Sequence, residues 1–507
     1  MPGKQDNMQI ESKENYQKSI AFLFGAISIF HLISGLFQIH FLSVIGLGSG
    51  TGYDGIWYIF KATNLATEVD DYHFFRILPS YICYFTLDVF GIPKTWDNGI
   101  TVFQYLNLFA IQGFIWLSLR LVRYLQLGFK GALIFSLLAF FNFNFTREAY
   151  YNPVMTDTLA ALFSMGLLIA HLEGRVWLKF IWGILLMFTF PFGLMVNLVY
   201  SIFKPFKLVL GKSKFKIVIY VCIFLAYFIP SVFWYFYMGR VTIYTFPDSI
   251  LPALFPVTLI VNGLAFTYFF SSLWRLFSPE SHIIAIKQRA ISYLWVIAIL
   301  VYLIGNKTLV FLNNKPHMNE IRVFLGNYWT YLNLKPLIGL LDAIQFFGPI
   351  ICLFLVNWNK IVRKSLDYGI KHQFILFAAL FLIFLPEARH TLCLLPYLLL
   401  LAFMYFDFSQ VRNSFVWLLG FAALIISRYY YPLGLSEFPP NHLLFAKETD
   451  HAIYQQFPAQ HFFMHSGITI SHSVYLVFMI IALLITGLTW WLSRDIKLKV
   501  TDYDTAH

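Results

Sequence analysis

The sequence predicts an all-α, polytopic integral membrane protein, and three observations carry that prediction. Only 12% of the 507 residues are charged, where a soluble domain carries about a quarter. Apolar residues make up 59% of the chain and aromatic ones 20%, with a mean hydropathy of +0.67. Apolar runs approaching the roughly 20 residues that cross a bilayer recur from Ser19 almost to the C-terminus. Backbone N–H and C=O groups left unpaired in lipid are so costly that each run reads as a helix.

Taken in order, residues 1–18 form a polar tail, expected in the cytoplasm. The apolar run after it has no small-residue cleavage pattern and is read as a retained first helix. One membrane domain is expected over 19–493, with candidate spans near 19–46, 99–119, 131–145, 156–172, 177–189, 191–203, 217–237, 251–273, 291–311, 338–357, 373–385, 391–406, 413–427 and 473–492. That is a fold of roughly 12 to 14 transmembrane helices. Phe190-Pro191-Phe192-Gly193 supplies a break that divides 176–203 into two short helices or a re-entrant hairpin. Outer loops are expected at 48–98, 313–337 and 428–471, and residues 494–507 form a second cytoplasmic tail. Within the first loop, Ile77 to Ile92 is apolar but holds Pro79 and Asp88, which suits an interfacial helix better than a span.

Charge sets the orientation. With the N-terminus inside, 24 of the 36 Lys and Arg residues fall on the cytoplasmic side, among them Arg120, Arg123, Lys130, the cluster Lys204 to Lys216 and Lys360 to Lys371. This is the positive-inside bias, and it predicts both termini inside. The net charge of +11 is therefore read as topology and not as a nucleic-acid surface. Cys83, Cys222, Cys352 and Cys393 have no paired spacing, so neither a disulfide framework nor a zinc site is indicated. His442, His451, His461, His465 and His472 lie close together in sequence but have no acid in register for a metal.

Ionisable residues are expensive at membrane depth, so acids and arginines at the ends of apolar runs are the functional candidates. Four clusters stand out, all on the expected outer face. GYDGIWYIFKA carries Tyr53 and Asp54, with Asp70, Asp71, His73 and Arg76 following in DDYHFFRILPSY. REAYYNPVMTDTLA carries Arg147, Glu148 and Asp157. PEARHTLCLLP holds Glu387, Arg389 and His390, and SRYYYP holds Arg428.

In order and topology the chain resembles the GT-C superfamily of membrane glycosyltransferases, which take sugars from polyprenyl-phosphate carriers. The resemblance rests on YDG followed by R-x-L-P in the first outer loop, NPVMTD before a later helix, and a late E-x-R-x-x-x-x-x-x-P stretch. It implies a mannosyltransferase-like enzyme that moves one monosaccharide, with inversion, from an undecaprenyl- or dolichyl-phosphate donor to a glycan, lipid or protein acceptor. The expected place is a bacterial inner (plasma) membrane, with the site facing the extracytoplasmic side. By this likeness Asp54 is the general base and Asp157 orients the acceptor or sugar. Arg389, Arg428, Arg76 and His390 face the donor phosphate, and Tyr53, Glu387 and Asp71 contact substrate. The chemistry needs a carboxylate to take the acceptor proton and cations to balance charge on the departing phosphate. No obligatory cofactor is expected: the early loop reads Asp54-Gly55, without the acid pair by which several GT-C families hold a divalent metal.

Two rivals belong to other classes. A transporter or lipid flippase would show related halves and charged or broken helices at the midplane, and no internal repeat is visible. A polysaccharide polymerase or ligase would favour a large Arg-rich outer loop, whereas Arg428 to Ser471 contains only Arg428 and Lys447 as Lys or Arg.

Overall fold

The computed structural model describes residues 3–42, 44, 52–64, 76–190, 193–194, 196–197, 200, 216–238, 251–273, 329, 332–333, 335–384, 388–427, 472–494 and 496–499. Among these the chain is all-α, with seventeen α-helices. Five are long and apolar enough to cross a membrane, or six if a bent pair counts as one span. The expected span at 291–311 lies outside the described residues, and most of 191–203 does too.

The first half of the chain builds one side of the bundle. Helix α1 (Gly3–Phe41) contributes the apolar length Tyr16–Phe41, only 28% of whose apolar window is buried, so most of its surface faces outward. Two helices occupy the expected first outer loop, α2 (Gly52–Asn64) and α3 (Leu78–Val89). The apolar stretch from Ile77 is thus helical, and it leaves Phe85 and Val89 exposed. Both pack on α4 (Trp96–Tyr124) through a small cluster of Tyr58, Ile59, Cys83, Leu87, Phe103 and Val154. Helix α4 starts where Thr95 adopts an extended backbone and its side chain accepts the Asn98 N–H at 3.4 Å, satisfying one of the free donors of the first turn.

Helix α5 (Phe129–Phe140) is followed by a π-helical turn, Asn144–Glu148, and a short α6 (Ala149–Tyr151). The two arms are bent by 60°. Helix α7 (Asp157–Leu172) then returns through the core against α4, and α8 (Val176–Met187) packs on α7. The chain leaves the helix after Met187, and residues 193–194, 196–197 and 200 are helical again, so the helix is interrupted between Met187 and Gly193.

Helices α9 (Lys216–Met238) and α10 (Leu251–Ser272) form a pair. The expected span 338–357 is two helices, α11 (Ile338–Phe347) and α12 (Pro349–Val356). Gly348 separates them at φ 75° and ψ −141°, a conformation open essentially to glycine alone, and Pro349 cannot continue the hydrogen-bond ladder of α11. Amphipathic α13 (Trp358–Ser365) follows, then α14 (Ile370–Phe384). Helix α11 crosses α14 backbone to backbone: a Cβ on Gly339 would stand 2.6 Å from the Ile383 carbonyl oxygen.

The expected span 391–406 begins as a 3-10 turn, Ala388–Leu394, and continues as α15 (Leu395–Tyr405). With 89% of its apolar window buried, this is the most enclosed of the five long spans. Helices α16 (Asn413–Ser427) and α17 (His472–Ser493) complete the described bundle, α17 being only 28% buried over its apolar window. After α17 the chain pairs antiparallel with the end of α15, Phe406 opposite Leu498 and Asp407 opposite Lys497. A cluster of buried apolar residues runs from Ile20 to Ile496.

Candidate active site

The site is built from the start of α7, the Ala388–Leu394 turn, Phe190 and Arg76, which leads into α3. Asp157 opens α7, a position that helix-terminal N–H groups favour for a carboxylate. Arg389 lies on the 3-10 turn that packs on α7, and its Nη1 stands 3.8 Å from Asp157 Oδ2. Both side chains are almost enclosed, at 11% and 8% exposure, so the pair is a desolvated one. The 3-10 turn is anchored from α11, where the fully buried Asp342 accepts the Ala388 N–H at 3.4 Å.

Next to this pair sits the π-helical turn. Arg147 and Glu148 are both buried on it, and the Glu148 carboxylate accepts a hydrogen bond from Asn152 Nδ2 at 3.3 Å. The Arg389 and Asp157 charges both act on Glu148, so a second buried carboxylate stands within the field of the pair. The irregular backbone here needs side-chain partners. Asn107 Nδ2, from α4, donates to the Ala149 and Pro153 carbonyls at 2.8 Å each, and Gln104 Nε2 donates to the Tyr150 carbonyl at 3.0 Å. Single-turn π insertions of this kind often accompany functional sites.

A second arm, Arg76 and His390, meets on an aromatic ring. Arg76 precedes α3, and its guanidinium carbon lies 4.9 Å from the Phe190 ring centroid. The His390 ring stacks on the same Phe190 at 5.7 Å with 29° between planes. Arg76 Nη1 donates to the Tyr58 hydroxyl at 3.5 Å, and the Leu78 N–H donates to the Phe188 carbonyl at 2.9 Å, which ties α3 to the end of α8.

Of the residues singled out in the sequence, Asp157, Arg389, His390 and Arg76 are thus brought together. Tyr53 and Asp54 fall in the first turn of α2, and Asp54 lies one turn before Tyr58, the residue that receives the Arg76 hydrogen bond. Asp71, Glu387 and Arg428 lie outside the described residues. Sequence reasoning missed Phe190, on which two of the cations rest, and Asp342, whose signal was a lone acid within an apolar run. Among the described residues, no group of three or more His, Cys, Asp or Glu side chains is disposed to hold a metal ion.

The arrangement presents several cationic or hydrogen-donating groups and two buried carboxylates at one end of the helices, and chemically it suits an anionic ligand with hydroxyl groups beside it. No family model, curated protein or solved structure matches the chain.

Proposed function

We propose that the chain is a GT-C-like, mannosyltransferase-like glycosyltransferase that moves a single sugar from a polyprenyl-phosphate donor to an acceptor at the outer leaflet. The reading takes the fold to be a polytopic one of twelve to fourteen spans with both termini in the cytoplasm. It places the protein in a bacterial plasma membrane, with the donor carrier an undecaprenyl or dolichyl chain.

One observation carries the reading: Arg76, Asp157, Arg389 and His390, from separate stretches of the chain, meet at one end of the helices. In the reaction, the acceptor oxygen attacks the anomeric carbon opposite the phosphate. The bond from that carbon to the phosphate oxygen breaks, its electron pair leaves with the phosphate, and configuration inverts. Asp54 takes the acceptor proton, and Asp157 orients the acceptor or sugar. Arg389, Arg76 and His390, with Arg428, balance the charge that gathers on the departing phosphate, where fixed cations in a dry site act most strongly. Tyr53, Glu387 and Asp71 contribute substrate contacts. No step calls for an obligatory metal.

The test is turnover by the purified full chain in nanodiscs with a panel of polyprenyl-phosphate sugars, scoring carrier-phosphate release in wild type and Asp54→Asn. Sugar-dependent release that disappears in a folded Asp54→Asn protein is the expected result. A folded wild type that releases carrier phosphate from no donor in the panel would sink the reading and bring the transporter alternative forward.

A further inference from the structure

The end of the bundle opposite the Asp157–Arg389 pair carries a second polar cluster, for which the transfer reaction has no use. Asp157 and His171 stand at opposite ends of α7, about 21 Å apart at 1.5 Å per residue. His171 sets its ring edge-on to Tyr200, centroids 5.4 Å apart. The Tyr200 hydroxyl meets His372 Nε2 at 3.4 Å, and His372 Nδ1 meets the Tyr405 hydroxyl at 2.7 Å. Those three groups satisfy one another.

The nitrogens around them find no such partners among the described residues. His171 Nδ1 is buried with no hydrogen-bond partner among the described residues. Lys371, only 8% exposed, holds its ammonium 4.8 Å from the Tyr200 ring centroid and makes neither a hydrogen bond nor an ion pair with any described residue. Lys179, in the first turn of α8, and Lys371 are the two charges that act on His171.

No carboxylate is free to answer them among the described residues of this end. Glu173 is taken by Arg120 at 2.5 Å and Arg175 at 3.0 Å, and Asp367 by Lys364 at 3.0 Å. Asp407 accepts the Ser409 N–H at 2.9 Å and faces Lys497 and Lys499. The stem of Lys371 is enclosed and no described carboxylate lies beside its charge, so only one tyrosine face within the protein offsets the hydration it loses.

We propose that Lys371, Lys179 and His171 bind a phosphate group. Lys371 and His171, from α14 and α7, both lie against the Tyr200 ring, with Lys179 on the neighbouring α8, and a phosphate offers three acceptor oxygens where a carboxylate has two. His171, Lys179 and Lys371 stand at the ends of the apolar helices α7, α8 and α14. The group belongs either to a lipid head or to a soluble phosphate, and the site stands independently of the glycosyltransferase reading.

The experiment follows the melting temperature of the purified full chain in phosphate-free detergent. One arm adds inorganic phosphate, against chloride at equal ionic strength. The other adds short-chain phosphatidic acid, against the matching diacylglycerol. Wild type is expected to be stabilised, and Lys371→Met to weaken the apparent affinity about tenfold, the loss of one charge-assisted hydrogen bond. Stabilisation by both arms, by lipid alone or by inorganic phosphate alone supports the site and identifies its source, provided Lys371→Met weakens it. If Lys371→Met does not fold, the less buried Lys179→Met carries the same comparison. No stabilisation of wild type in either arm overturns the proposal, as does a folded Lys371→Met, or Lys179→Met in its place, that responds like wild type.

Discussion

The two ends of α7 meet the same difficulty, polar groups within an apolar bundle, in opposite ways. At Asp157 the chain supplies both signs: two carboxylates, Asp157 and Glu148, share the Arg389 charge. At His171 it supplies a neutral chain of hydrogen bonds, Tyr200 to His372 to Tyr405, bordered by lysines whose own carboxylates are engaged elsewhere. Burial alone therefore does not tell how a charge is tolerated. What matters is whether the balancing group comes from the protein, and that difference gives removal of a cation opposite signs at the two ends.

The largest effect belongs to the paired end. Arg389→Met strands Asp157 and Glu148 without their shared cation and is expected to lower the unfolding free energy by about 3–5 kcal/mol. Adding Asp157→Asn should restore part of that loss, by about 1 kcal/mol, in a double-mutant cycle followed by denaturant unfolding in detergent. A loss below about 1 kcal/mol in the single variant would break the contrast. At the other end, Tyr405→Phe leaves His372 Nδ1 without its partner and should cost about 1–3 kcal/mol in the same assay.

Lys371→Met sharpens the comparison by its sign. In phosphate-free buffer it should raise stability, by about 1 kcal/mol, because it removes a charge that no described carboxylate answers. A destabilised variant there would place Lys371 in the same class as Arg389.

The smallest effect is in pH. Hydrogen bonds from the side chain and backbone N–H of Ser409 hold the Asp407 carboxyl below its ordinary value. A carboxyl lowered on folding stabilises fully above its unfolded value of about 4, and that stability is lost as pH falls through the folded value. Acidification from neutral pH should therefore lower the melting temperature of Asp407→Asn slightly less than that of wild type. Identical acid profiles would show that the Ser409 contacts contribute nothing.

The Asp157–Arg389 cluster is legible because acids and arginines are conspicuous beside apolar runs: Asp157, Arg389 and Arg76 stand out on that ground, His390 beside Arg389, and the fold brings them together. Phe190 was not legible, since one phenylalanine among 57 carries no mark of the cations that rest on it. The cluster at the other end of α7 left no motif either, because His171, Tyr200, His372 and Tyr405 come from four separated stretches. An apolar-run reading even began the 373–385 span past Lys371 and His372, whereas α14 starts at Ile370 and buries both against protein. The break at Gly348 had a visible signal in the Gly-Pro pair, but the apolar residues on either side of it read as one run.

The short pairing of Lys497–Leu498 with Phe406–Asp407 has a consequence for biosynthesis. The Lys499 N–H donates to the Tyr405 carbonyl at 2.9 Å and its ammonium to the Phe403 carbonyl at 2.9 Å, so the end of α15 is completed by residues that emerge from the ribosome after every described helix. Chains are made from the N-terminus, and here the most enclosed of the long spans waits for the last described segment before its final carbonyls are matched. A nascent chain halted after α16 would leave that helix end open, the Phe403 and Tyr405 carbonyls without these partners.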